Sequence, residues 1–128
     1  MRQLFYFAVA AISVGCSVMS YTELREAPGE PFVFIAEGSA QDVYKRIVTR
    51  ARDCYPNLSQ GDFFTDKNKG TISIGSGRAD MLIDVENHQG KAQVTVFHNQ
   101  YVLGNKSNAE GVEKWVRENS RTCHFWAK

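Results

Sequence analysis

The chain has 128 residues, with 15 Lys and Arg against 14 Asp and Glu, so its formal net charge near neutrality is +1. The basic residues are scattered over helical and loop segments without forming a stripe, which argues against nucleic-acid binding, where affinity rests on clustered phosphate contacts. The length suits one domain with one core once the N-terminal segment is set aside, and three cysteines cannot all be paired within it.

Residues 1–15 have the three parts of a removable secretory signal: a positive start at Arg2, an apolar run over residues 4–14, and small residues at the cut. The run is shorter than the roughly 20 apolar residues that cross a bilayer. Its end, Ser13-Val14-Gly15-Cys16, resembles the lipobox of bacterial lipoproteins, with Ser13 standing where Leu is usual. That resemblance implies cleavage before Cys16, diacylation of its thiol and acylation, typically with palmitate, of the new amino group. Ser17, with no Asp at that position, implies delivery to the outer membrane of a two-membrane cell, facing the periplasm. Lipidation of Cys16 leaves Cys54 and Cys123 as a pair in an oxidising compartment, and a disulfide between them is expected. The plain alternative, an ordinary cleaved signal, leaves Cys16 removed or as an odd exported thiol.

Residues 16–31 are polar, contain Pro28, Gly29 and Pro31, and read as a tether to a single domain over residues 32–128. The alternative is an ordered extension packed on the sheet through Tyr21 and Leu24. Residues 32–36 form a continuous apolar run bounded by Pro31 and Gly38, which predicts a short central strand buried on both faces. Ser39 then caps a helix whose Ala40, Val43, Tyr44, Ile47, Val48 and Ala51 recur at spacings of three and four. Pro56 restricts Tyr55 and ends that helix near Cys54.

Hairpins follow. Residues 63–66 and 71–74 flank a turn over 67–70 in which Gly70 supplies the left-handed residue, and Gly75-Ser76-Gly77 reverses or bulges the chain. Placing Glu86 opposite Lys91 also sets Val85 against Ala92, Ile83 against Val94 and Met81 against Val96, which predicts a dry face. The other face, with Asp84 by Gln93, Leu82 by Thr95 and Asp80 by Phe97, is largely polar. Ser107 and Glu110 match a capping box, and Val112, Trp115, Val116 and Asn119 form the inward stripe of a second helix running to Ser120 or Arg121.

The order β-α-β-β-β-β-α predicts a two-layer α+β domain, with a mostly antiparallel sheet of about five strands covered on one face by two helices. That order resembles the helix-grip arrangement of several small envelope lipoproteins. Cys54 and Cys123 each fall just past a helix, so helices lying side by side bring them together.

Catalytic groupings are weak. Gly75-Ser76-Gly77 has the wrong spacing for a nucleophile elbow or a phosphate loop. His88, His98 and His124 form no spaced ligand pair, so neither a metal nor a cofactor is expected. Asp62, Asp66, Asp80 and Asp84 read as solubilising turn and wet-face residues, Asp80 pairing with Arg78. A thiol role for Cys123 beside His124 is disfavoured, because neighbours in sequence rarely present the geometry that activates a thiolate.

The leading expectation is a non-catalytic, lipid-anchored envelope module that binds another envelope protein through a surface around Leu82, Thr95 and Phe97, to which Tyr101, Val102, Phe125 and Trp126 add apolar area if exposed. The alternative is a carrier whose cavity, lined by Phe34, Tyr44, Ile83, Val94 and Trp115, takes a small apolar ligand, although a filled core requires the same residues. A hydrolase ranks third.

Overall fold

The computed structural model describes residues 20–26, 30–75, 80–99 and 105–123. The signal segment, Cys16, Ser17, Ser76, Gly77, Arg78, residues 101–103, His124, Phe125 and Trp126 lie outside the described residues, as do the expectations that fall on them.

The architecture is α+β. In chain order the elements are α1 (Tyr21–Glu26), β1 (Phe32–Ala36), α2 (Ala40–Cys54), β2 (Ser59–Phe64), β3 (Lys69–Ile74), β4 (Met81–His88), β5 (Lys91–His98) and α3 (Asn105–Arg117). The five strands form one antiparallel sheet in the order β1-β5-β4-β3-β2. Helices α2 and α3 cover its dry face. They enclose a core in which Val43, Ile47, Ala51, Val112 and Trp115 meet Ile72, Ile83, Val85, Val94 and Val96.

Helix α2 forms as its spacing predicts. Ser39 Oγ accepts the Asp42 N–H at 3.1 Å, and the stripe from Ala40 to Ala51 is buried. Cys54 at its end is joined by a disulfide to Cys123, with the Cα atoms 5.4 Å apart, so the segment after α3 is stapled to the end of α2. The indole Nε1–H of Trp115 donates to the Thr122 carbonyl at 2.8 Å, which seats the same segment against the core.

Several local expectations are corrected. Among the described residues β1 is an edge strand that pairs only with β5, and Val33 is 48% exposed, so the strand is buried on one face and not on two. The β4–β5 ladder is two residues out of the expected register. Glu86 faces Gln93, and His88 faces Lys91. The turn is the two-residue Gln89-Gly90, with φ of 53° and 82°, the pair of positive values that a type I′ hairpin uses to match strand twist. Because side chains alternate with period two, a slip of two residues leaves every residue on its expected face, so apolar patterning does not distinguish the registers.

The β2–β3 turn lies over residues 65–68 and not over 67–70. It is closed by Asn68 at φ 48°, and Gly70 stands inside β3. Gly70 is needed there for space: a Cβ would lie 2.5 Å from Tyr44 Cδ2. The Tyr44 ring instead rests over this glycine, with its centroid 5.2 Å from that of Phe63. Helix α3 starts at Asn105, so Ser107 is exposed inside it and is not its cap. It ends at Arg117, short of Ser120. Asn119, at φ 49°, turns outward and accepts a hydrogen bond from Arg50 Nη2 at 3.2 Å.

Candidate functional site

The second face of the sheet is where the structure departs most from the sequence reading. Ser20 Oγ accepts the Glu23 N–H at 3.1 Å, starting a six-residue helix where a tether is expected. So short a helix has no stability of its own in water, and α1 exists because it is packed on the sheet. Leu24, 1% exposed, sits on Leu82, 2% exposed, and Tyr21 and Phe97 flank the contact.

A charged clamp completes the docking. Arg25 Nη2 lies 2.9 Å from Asp84 Oδ1, and its Nε lies 3.3 Å from Oδ2, a two-pronged contact that fixes orientation as well as charge. Thr71 Oγ1 donates to the same Asp84 Oδ1 at 3.0 Å. Asp84 is therefore a buried, bonded carboxylate and not a solubilising surface group. At the start of α1, Tyr21 is hydrogen-bonded to Ser73. Burial raises its hydroxyl pKa above the ordinary tyrosine value, the Ser73 bond offsets part of that rise, and Asp80 adds to it. From the helix side Tyr55 feels the same carboxylate: burial first, then Asp80, push its hydroxyl far above the usual range.

This arrangement corrects the expected partner surface. Leu82 is covered by α1 and Phe97 is half-buried beside it. Thr95 lies beside Val33 in the β1–β5 ladder, so these two, with Ile35 and Gln93, form a strip on the same face. Val33 is exposed and its three neighbours are half-buried. On the opposite margin of this face Phe64 is 49% exposed, with Lys67 Nζ 5.9 Å from its ring centre. The signal for α1 was present in Tyr21, Leu24 and Arg25, three residues on one helical face, but Pro28 and Gly29 just beyond them pointed to a linker.

The residues suggested as a ligand cavity are all in the core cluster, none more than 8% exposed: Phe34, Tyr44, Ile83, Val94 and Trp115. Two grooves lie instead in the helix layer. One, of about 280 Å³, is lined by Lys45, Arg46, Thr49, Arg50, Trp115 and Asn119. The other, of about 270 Å³, lies against Ala36, Glu37, Arg46, Val116 and Arg117. Their cations are partly engaged: Arg50 reaches Asp53 at 3.5 Å, while Arg117 reaches Glu113 Oε2 at 2.9 Å and the Ile35 carbonyl at 2.8 Å.

His88 is exposed at the end of β4, and His98 is half-buried opposite Met81. Among the described residues no group of three His, Cys, Asp or Glu side chains is placed to hold a metal ion, and no helix is long and apolar enough to cross a membrane. No family model, curated protein or solved structure matches the chain.

Proposed function

We propose that this chain is a non-catalytic lipoprotein of the bacterial envelope, anchored through Cys16 in the outer membrane and facing the periplasm, where its domain holds a partner protein close to the bilayer. One observation carries the reading: Ser20, four residues after Cys16, caps a helix fastened to the sheet through Leu24 and the Arg25–Asp84 pair. A lipid at Cys16 would thus hold a folded body directly at the membrane. Confinement to a layer raises the effective concentration of the domain for partners in the same membrane without any new contact.

The partner surface we propose is the strip of Val33, Ile35, Gln93 and Thr95. It combines the exposed apolar Val33 with a strand that, among the described residues, has a strand neighbour on one side alone. Thr95 is retained from the surface expected from sequence, and Leu82 is replaced by Val33.

The anchor is tested by mass spectrometry of the mature protein and by incorporation of labelled palmitate, with Cys16→Ser as control. The expected result is a diacylated N-terminal Cys16 in the wild type and no label in the variant, and an unmodified wild-type N-terminus would refute it. A photo-crosslinking residue at Val33 in the anchored protein is expected to capture a discrete envelope protein. Placed at His88, on the exposed end of β4, it is expected not to, and equal capture at both positions would remove the strip as the binding surface.

A further inference from the structure

We infer that the domain stands on the bilayer in one orientation, with the Leu58 end of the sheet against the lipid headgroups and the two hairpin turns pointing away; this rests on lipidation at Cys16. Four residue steps separate Cys16 from Ser20. At about 3.3–3.6 Å per residue they span at most about 14 Å, whatever conformation they adopt. The polar headgroup layer takes up roughly 5–7 Å of that distance. The start of α1 is therefore held within about 10 Å of the bilayer surface, while a domain of this size is about 30 Å across.

Which end lies nearest the lipid follows from how α1 runs. Tyr21 is at the level of Ser73 and Asp80, Leu24 at that of Leu82, and Arg25 reaches Asp84 and Thr71, so the helix starts at the Asp80 end of the sheet and points away from it. Backbone bonds mark out that end as a row: Gly75 N–H to the Leu58 carbonyl at 3.0 Å, Asp80 N–H to Ile74 at 3.1 Å and Asn99 N–H to Asp80 at 3.0 Å. Leu58 stands on this row 39% exposed, after the exposed Pro56 and Asn57. The exposed part of this apolar side chain would find a partner in the lipid interface. Asn68 and the Gln89-Gly90 turn lie at the far end of the same strands.

The test uses the lipidated full chain, isotopically labelled, in nanodiscs of phosphatidylethanolamine and phosphatidylglycerol doped with a gadolinium-chelating headgroup. Paramagnetic broadening falls with the sixth power of distance. The amides of Leu58, Gly75 and Asn99 should therefore relax at least about tenfold faster than those of Asn68 and Gly90 across a domain about 30 Å wide. Equal or reversed broadening in protein shown by mass to be acylated overturns the orientation and leaves the anchor standing, whereas absence of the acyl mass overturns both. Inserting about 20 Gly/Ser residues after Val18 gives a flexible span of about 25 Å and should bring the two ends close to parity. Persistence of the full difference would show that the short tether does not set the orientation.

Discussion

Truncating Leu24 to Ala should release α1 from the sheet while leaving the five strands and the larger helices folded. Leu24 is 1% exposed and rests on a Leu82 that is 2% exposed. Its removal costs about 2–3 kcal/mol, the low end of the range for buried leucines, because a site beneath a short peripheral helix can collapse or admit water. The Arg25–Asp84 contact adds about 1 kcal/mol and no more, since the Arg25 side chain is 45% exposed and water screens it. The conformational entropy of ordering the short helix opposes these gains, so losing one buried side chain shifts α1 toward its open form. Tryptic cleavage after Arg25 under native conditions reads this opening directly. A loss of about 2 kcal/mol predicts cleavage roughly 30-fold faster, at about 1.4 kcal/mol per tenfold, with little change in the main unfolding transition. By amide hydrogen exchange in α1, a readout independent of the tryptic site, Asp84→Asn should loosen the helix less than Arg25→Met, because the latter leaves a carboxylate buried without its cation. Cleavage at the wild-type rate in Leu24→Ala would refute the claim that this contact holds α1 down.

Replacing Cys54 and Cys123 together by Ala removes a cross-link between residues 69 apart. On the chain-entropy model it should lower stability to denaturant by up to about 4 kcal/mol, and a change below about 1 kcal/mol would contradict that assignment. Tyr55 keeps its proton in the fold because burial and Asp80 raise its pKa from the ordinary 10.0, so its contribution is fully present below pH 10 and is lost as pH rises beyond it. Denaturation midpoints should fall above pH 10 with a slope of up to about 1.4 kcal/mol per pH unit per buried tyrosine. Tyr21 and Tyr44 act in the same direction, so Tyr55→Phe should flatten the slope without abolishing it, and an unchanged slope would refute the assignment. Gly70→Ala should cost about 1–3 kcal/mol by overpacking Tyr44, measured by thermal melting. A neutral result would mean that the ring is free to move.

The sequence was most legible where periodicity is strong. Phe32–Ala36 and the helix from Ala40 to Cys54 have their expected limits, because a capping Ser39 and a stripe at three and four residues admit one reading. The dry face of β4 and β5 was legible for the same reason, but their register was not. Alternation repeats every two residues, and only the turn at Gln89-Gly90 distinguishes neighbouring registers. Gly70 was read as a turn residue because a glycine needed for space and a glycine needed for its dihedral angles look alike until the neighbour, here Tyr44, is known. The contact of α1 with the sheet through Tyr21 and Leu24 was legible only as the alternative to a tether. Leu82 and Phe97 looked like apolar residues on a wet face, and their cover came from a segment that composition assigns to a linker.

The ladder connecting β1 to β5 has a consequence for the order of assembly. Strands β2 to β5 each pair with a neighbour in sequence, but Phe32 pairs with Val96, which lies beyond the whole meander in the chain. Local pairings close faster than distant ones, so the meander is expected to nucleate and β1 to join last, with pulsed hydrogen exchange showing its amides protected after those of β4. A chain emerging from its amino end presents β1 long before its slot exists. During that interval the vacant rim of β5 is open to a strand from a neighbouring molecule.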